Sequence, residues 1–298
     1  MGKCIHAKFN GIWDDESKTQ LGHMRISVSP KTITDGSVQQ KLSIAIASSS
    51  KPVVVSIVGS GYFATSFAGL SDPSEQKTEY TISNSGVFSD LWFSVGTYDI
   101  DLSNKYNIWG IKMSESGISA QVLPIFDIGS TELRYLTALT RLYVNRNNSD
   151  IDISDLSDKS WHTMNILSSI SGNLSGISQN LDNLVSLRVQ DSSDKITGDI
   201  ISLASAENCT YMNISGNSGI IGNIASLGTC KLLDTLGIYS SNGITGTLES
   251  LAEAMIAAGR TSGTLNVDMN NVVTVNGQTV QTGTRKTITF SGGTYVIN

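Results

Sequence analysis

Few side chains in this 298-residue chain sit at spacings that do chemistry. The nearest approach is Gly59-x-Gly61-x-x-Ala64, which follows the apolar run 53–58 and has Glu79 placed 20 residues beyond Gly59. A dinucleotide site needs a helix opening at those glycines, so that its N-terminal amides hold the pyrophosphate. Residues 63–73 leave room for at best two turns (Pro73 closes the stretch), and Glu79 opens a strand instead of ending one, so the segment reads as a β-hairpin turn. The three histidines, His6, His23 and His162, lack metal-ligand spacing, and His162 beside Trp161 reads as a surface or packing residue. Asp150, Asp152, Asp155 and Asp158 form an acidic run, but Ile151, Ile153 and Leu156 interleave with them and no Asp-x-Asp-x-Asp-Gly loop is present. That run reads as a solvated edge, with an ion site as the alternative, and Asp14-Asp15-Glu16 as a charged tail segment or part of a docking arm. No carboxylate pair suited to glycoside hydrolysis can be nominated. The expectation is a protein without catalytic residues, metal or cofactor.

Composition points the same way. Charged residues make up only 15 % of the chain and the net charge is −6, with no Lys/Arg run, so a nucleic-acid footprint is not expected. No segment approaches the roughly 18 apolar residues of a membrane helix, and the stretch Met1–His6 lacks the apolar run of a signal peptide. Three cysteines are an odd count and do not suggest a disulfide framework. Cys209 and Cys230 fall where sister segments carry Leu or Trp, so both read as small buried apolar residues. Ser, Thr, Asn, Gly and Ile dominate, a balance common in extracellular and virion surface proteins.

The strongest signal is positional. Ile170-Ser-Gly-Asn-Leu174, Ile196-Thr-Gly-Asp-Ile200, Ile220-Ile-Gly-Asn-Ile224 and Ile244-Thr-Gly-Thr-Leu248 repeat one phrase. Each follows an apolar pair: Met164/Ile166, Leu187/Val189, Met212/Ile214 and Leu236/Ile238, with Leu142/Val144 before and Leu265/Val267 after. The first residues of these pairs lie 22, 23, 25, 24 and 29 positions apart, a period that marks a solenoid. Burying an apolar side chain contributes roughly 1.5–3 kcal/mol, whereas ordering a residue's backbone costs roughly 1–2 kcal/mol. One unit therefore cannot fold alone, and neighbours must stack. The recurring glycines, Gly172, Gly198, Gly222 and Gly246, are expected where φ is positive or backbones approach closely.

Strand alternation then sets a solvent-facing surface beside each apolar pair. Its columns are Arg141, Thr163, Ser186, Tyr211, Thr235; Tyr143, Asn165, Arg188, Asn213, Gly237; and Asn145, Leu167, Gln190, Ser215, Tyr239. Arg141, Tyr143, Asn145, Asn165, Arg188, Gln190, Tyr211, Asn213 and Tyr239 are the candidate binding residues, since Tyr and Arg among small polar groups suit a protein or glycan partner.

All four prolines precede residue 125, which sets a composition boundary. The expected layout is mainly β: an irregular arm over 1–24; an antiparallel β-sandwich-like domain over 25–125, with turns at Thr34–Gly36 and Asp101–Asn104; repeats over 126–270; and a short β cap over 271–298. Ser250–Gly259 is the one helix, rich in Ala and ended by Gly.

The Leu-x-x-Leu-x-Val and Ile-x-Gly-x-Ile-x-x-Leu pattern resembles the leucine-rich repeat, and its glycine half is similar to variants in bacterial and bacteriophage proteins. It departs by placing Met164 and Met212 at Leu positions and Ser192 and Ser241 at turn positions that favour Asn. The whole layout resembles repeat proteins of tailed phages, crAss-like and related, of gut Bacteroidetes. That resemblance implies a non-enzymatic virion component, a fibre, decoration or adhesion protein. It would join other virion proteins through the N-terminal domain and meet a host-surface protein or glycan through the repeats, and homo-oligomerisation fits such a role. The alternative is a bacterial cell-surface adhesin, and the third is a glycan-active enzyme.

Overall fold

A computed structural model describes residues 11–13, 20–28, 39–59, 62–66, 68–93, 96–116, 125–127, 133, 136–144, 151–166, 170–190, 195–215, 219–239, 243–269, 274–275, 278–279 and 285–298. The chain is mainly β and divides into two compact units, Met1–Ile151 and Asp152–Asn298.

In the first unit, runs with a period of two become strands, as alternation requires. Gln39–Ile46 lies antiparallel to both Phe88–Phe93 and Ile108–Ser116, and Phe63–Ala64 extends that sheet beyond Phe88–Phe93. Arg141–Val144, where the repeat phase begins, joins its other edge in parallel with Ile108–Ser116. A second sheet is antiparallel and runs Gly11–Trp13, Gln20–Val28, Gly96–Leu102, Val53–Gly59, Glu79–Ile82, with Ile125–Asp127 also pairing to Gln20–Val28. Leu42, Ile44 and Ile46 of the first sheet are buried, as are Val53, Val55 and Ile57 of the second, while Val54 and Ser56 stay half-buried.

Two segments differ from the sequence expectation. Residues 11–13 and 20–24 are paired strands where an irregular arm was expected; Gln20-Leu-Gly-His-Met lacks strict alternation, so its pairing is invisible in the pattern. The strand Gly96–Leu102 also runs through Asp101 and Leu102, and the turn begins only after it. There Asn104 adopts a left-handed φ of 44° and its amide donates to Pro52 O at 2.7 Å. The turn expected at Thr34–Gly36 and the acidic segment at 14–16 lie outside the described residues.

The second unit repeats one path. Thr163–Ile166, Ser186–Gln190, Tyr211–Ser215, Thr235–Tyr239 and Ser262–Met269 pair in parallel, in a register that aligns Met164, Leu187, Met212, Leu236 and Val267, so that Val267 and not the expected Leu265 lies opposite Leu236. A second parallel sheet takes Ile170–Asn173, Ile196–Asp199, Gly219–Asn223 and Gly243–Thr245. Short 3-10 turns, Ile153–Leu156, Leu174–Ile177, Ile200–Leu203 and Ile224–Thr229, supply the third side. The aligned apolar residues of all three segments are fully buried.

The recurring phrase carries a specific lock. The residue after its glycine caps the turn that follows: the Oδ1 atoms of Asn173, Asp199 and Asn223 accept from the amides of Ser175, Ile201 and Ala225 at 3.0, 2.9 and 2.9 Å. Asp152 does the same for Ser154 at 2.9 Å. The next unit's glycine then sits against that cap. Its φ is +108° at Gly172 and Gly198, +116° at Gly222 and +110° at Gly246. A Cβ on any of them would overlap the Oδ1 of Asp152, Asn173, Asp199 or Asn223 respectively. Both the backbone angle and the available space therefore demand glycine.

In the last turn of the path an α-helix, Leu248–Ala257, replaces the 3-10 segment. Thr247 replaces the Asn/Asp cap and forms a capping box with Ser250, its hydroxyl accepting from the Ser250 amide at 2.9 Å. The helix begins two residues before the Ala-rich stretch because Thr247 is the cap, and it stops before Gly259, whose φ is +98°. The longer connection is held by buried Arg260, which donates to Leu233 O at 2.6 Å and Thr264 O at 2.8 Å and lies 4.4 Å from the Phe290 ring. Burial pulls its pKa down, and Asp234 partly opposes that shift. Arg285–Ser291 then pairs antiparallel to Ser262–Met269, and Thr294–Ile297 pairs to Arg285–Ser291.

Two substitutions test the lock by urea denaturation. Gly222→Ala should cost about 1–3 kcal/mol, clearly more than Gly259→Ala, which has a positive φ but open space around it. Asn223→Ala should cost about 0.5–2 kcal/mol through loss of the cap, while Asn223→Asp keeps most of the stability.

Candidate functional site

The candidate binding residues separate into two groups. Arg141 and Tyr143 lie in the first unit, on Arg141–Val144; Asn165, Arg188, Gln190, Tyr211, Asn213 and Tyr239 lie in the second. Asn145 and Leu167 fall outside the described residues, as do the side chains of Ser215 and Tyr239.

In the second unit the parallel register stacks the expected columns. Thr163, Ser186, Tyr211 and Thr235 are neighbours on successive strands, followed by Asn266. Asn165, Arg188, Asn213 and Gly237 form the adjacent column, followed by Asp268. Ser186, Arg188, Tyr211 and Asn213 are half-buried and Gln190 is exposed, whereas Thr163 and Gly237 are buried.

Hydrogen bonding along this face is uneven. At its C-terminal end Arg285 grips Asp268 with Nη2–Oδ2 at 2.9 Å, and Thr287 donates to Asn266 Oδ1 at 3.2 Å. At the centre the contacts are long: Arg188 to Gln190 Oε1, 3.4 Å, and Asn213 to the Tyr211 hydroxyl, 3.4 Å. Asn165 Oδ1, Arg188 Nε and Asn213 Oδ1 are shielded from solvent and have no hydrogen-bond partner among the described residues. Leaving such an atom unpaired costs about 1–3 kcal/mol. The centre of the face thus holds unspent hydrogen-bonding capacity on three adjacent strands, with donor and acceptors alternating.

The remaining candidates have structural positions. Val53–Gly59 pairs antiparallel with Glu79–Ile82, and Phe63–Ala64 is again a strand, so the described residues place no helix where a pyrophosphate would need one. Asp152 is a turn cap and Asp158 pairs with buried Lys159 at 3.0 Å. His162 Nδ1 lies 3.0 Å from the Thr163 hydroxyl, and Trp161 is buried with Nε1 donating to Leu156 O at 2.8 Å. Among the described residues no three His, Cys, Asp or Glu side chains gather to hold a metal, and no helix is long and apolar enough to cross a membrane. Cys209 and Cys230 are free and buried, their thiols directed at Tyr211 O (3.1 Å) and Leu203 O (3.5 Å).

Sequence reasoning missed two sets of residues. The Asn/Asp caps were hidden because the phrase was read for its apolar and glycine positions alone. An aromatic and cationic row in the first unit, which includes Trp92, Trp109 and Lys112, leaves no signal in strand alternation, because alternation does not show which strands are neighbours. No protein-family model matches the chain, and no curated protein matches it.

Burial pushes the Cys209 thiol up to about 11 and the Cys230 thiol up to about 12 from an ordinary 9.0. Folded thiols therefore keep protons that unfolded ones lose, and their stabilising effect is intact below 9.0 and lost as pH rises through about 11 and about 12. At about pH 8 iodoacetamide should leave both unmodified in the folded protein and alkylate both in denaturant, read by peptide mass spectrometry.

Proposed function

We propose that this chain is a non-enzymatic structural and interaction protein of a bacteriophage particle, in which a leucine-rich-repeat solenoid displays a binding face. The β-sandwich-like N-terminal part attaches it to other virion proteins, and the C-terminal antiparallel strands cap the last repeat. The solenoid reading is supported by the repeated path, since each unit adds one strand to each of two parallel sheets and one capped turn. The phage setting rests on the likeness of the repeat phrase and layout to phage repeat proteins.

One observation carries the binding role: the Asn165–Arg188–Asn213 column holds three shielded, unpaired polar atoms beside Tyr211. A partner that shifted these shielded side chains and supplied both donors and acceptors would recover hydrogen bonds that the isolated fold leaves unmade. Tyr and Arg at such a position match the residues that dominate binding energy at protein interfaces.

Peptide mass spectrometry of purified particles should find the chain at stoichiometric abundance, and its absence from particles contradicts the virion assignment. Isolated protein should bind host-cell surface material, and Arg188→Ala should weaken that binding about tenfold or more, as truncation of a central hot spot costs ~2 kcal/mol.

A further inference from the structure

Across the outward face of one sheet in the first unit, rings and cations alternate in a single row. Arg141 Cζ lies 5.2 Å from the Trp109 ring, Trp109 lies 5.3 Å from Phe88, Lys112 Nζ lies 4.0 Å from Phe88, and the same Nζ is 5.2 Å from Tyr143. Beside this row Lys41 stacks on Trp92 at 5.2 Å and pairs with Asp90 at 2.9 Å.

The register explains why these side chains converge. Phe88, Ala45, Gly110 and Arg141 are successive neighbours across four strands; Asp90, Ser43, Lys112 and Tyr143 form the next rung. The central residues are small. Ala45 and Ser43 are buried, and a Cβ on Gly110 would come within 2.7 Å of Phe88 Cζ, so the Phe88 ring lies directly on the Gly110 backbone. Trp109 is fixed by donating from Nε1 to Ile46 O at 3.0 Å, and Asp90 by accepting from Ser43 at 2.6 Å. The rings are therefore seated and oriented before any ligand arrives, while every ring and cation of the row remains half-buried and reachable.

Lys112 is the informative member. Its ammonium touches two rings and has neither a carboxylate nor a hydrogen-bond acceptor among the described residues. Contact with two ring faces holds the ammonium in place, and because Lys112 is only half-buried its N–H groups stay open to an incoming acceptor. Lys41, Lys112 and Arg141 share this face with Asp90, on a chain whose net charge is −6. The local field thus favours an anion against the sign of the molecule.

We propose that this face binds a carboxylated sugar, of the uronic or sialic acid class. Its carboxylate would accept from the Lys112 ammonium as a charge-assisted contact. The apolar C–H face of the pyranose would lie on the Tyr143 and Trp109 rings, and its hydroxyls would donate to Asp90, whose side chain is 37 % exposed. An acidic peptide would use the cations and leave the rings idle. A single-stranded nucleic acid carries a charge at every nucleotide and needs a cationic track, whereas this row interleaves its cations with rings and holds a carboxylate beside them. The proposal goes beyond the repeat-face reading and uses residues of the first unit alone.

The test is binding of the full chain to immobilised oligosaccharides: oligogalacturonate and sialyllactose, their neutral counterparts, and, as competitors, hexaglutamate and oligo-dT. Retention on the carboxylated sugars alone is expected, weakened by salt, and reduced about tenfold or more by Lys112→Met and by Tyr143→Ala. Lys112→Gln, which keeps hydrogen-bond donors on a shorter side chain but not the charge, should lose a similar factor, and unchanged urea midpoints show that these variants fold. Arg188→Ala should leave this binding intact, whatever it does to the repeat face. No retention on either carboxylated sugar overturns the proposal. So does equal retention on neutral sugars, full retention by Lys112→Met, or binding of hexaglutamate or oligo-dT in place of the sugars.

Discussion

The second unit depends on one contact made repeatedly: the side chain that caps a turn is also the surface on which the next unit's glycine rests. Asn173 Oδ1 holds the backbone amide of Ser175 in its own turn, and the backbone of Gly198 lies against the side chain of Asn173. Asp199 and Gly222 repeat the arrangement, as do Asn223 and Gly246. Local order and stacking are thereby tied together. A turn that loses its cap also loses the seat for its neighbour, and a neighbour with a side chain at the glycine position displaces the cap. This coupling is a physical reason why the phrase tolerates Leu, Ile, Ser and Thr around it but keeps glycine followed by Asn, Asp or Thr.

Once spacing is set by this lock, the rest of the unit follows with little further specification. The parallel sheets align the apolar residues by register alone, and the residues between them form columns whose chemistry is free to vary. The exception lies at Thr247, where a hydroxyl replaces the amide or carboxylate. A hydroxyl cap is compatible with a full α-helix, and the longer unit that results, which brings Val267 opposite Leu236, leaves backbone groups to satisfy over a longer connection. Arg260 does so with two carbonyls, at the cost of a cation held in a buried place.

Much of this was legible in the sequence for a physical reason. Repetition averages out local ambiguity: one Leu-x-Val is uninformative, but a run of them in phase fixes which residues face inward, and the buried set agrees from Met164 to Ile238, whereas after the helix Val267 takes the place expected of Leu265. The glycines were legible because few constraints other than positive φ or close approach recur at a fixed offset. The caps were not, since Asn and Asp are common in turns for several reasons and only the coordinates reveal which amide each accepts from. The first unit was harder. Its strands could be marked by alternation, but the pairing partners are far apart in sequence. The row linking Phe88, Trp109, Lys112 and Tyr143 exists only once Ala45 and Gly110 are known to lie between them. Chemistry that arises from juxtaposition across strands leaves no spacing signature.

A double-mutant cycle on Asn173→Ala and Gly198→Ala, read by urea denaturation, tests the lock directly. The atoms that a Cβ at Gly198 would meet all belong to the Asn173 side chain. Removing that side chain should relieve the clash, so the double variant should be more stable than the sum of the single effects by about 0.5–3 kcal/mol. Strict additivity would contradict the account, because it would mean that cap and glycine stabilise the fold independently.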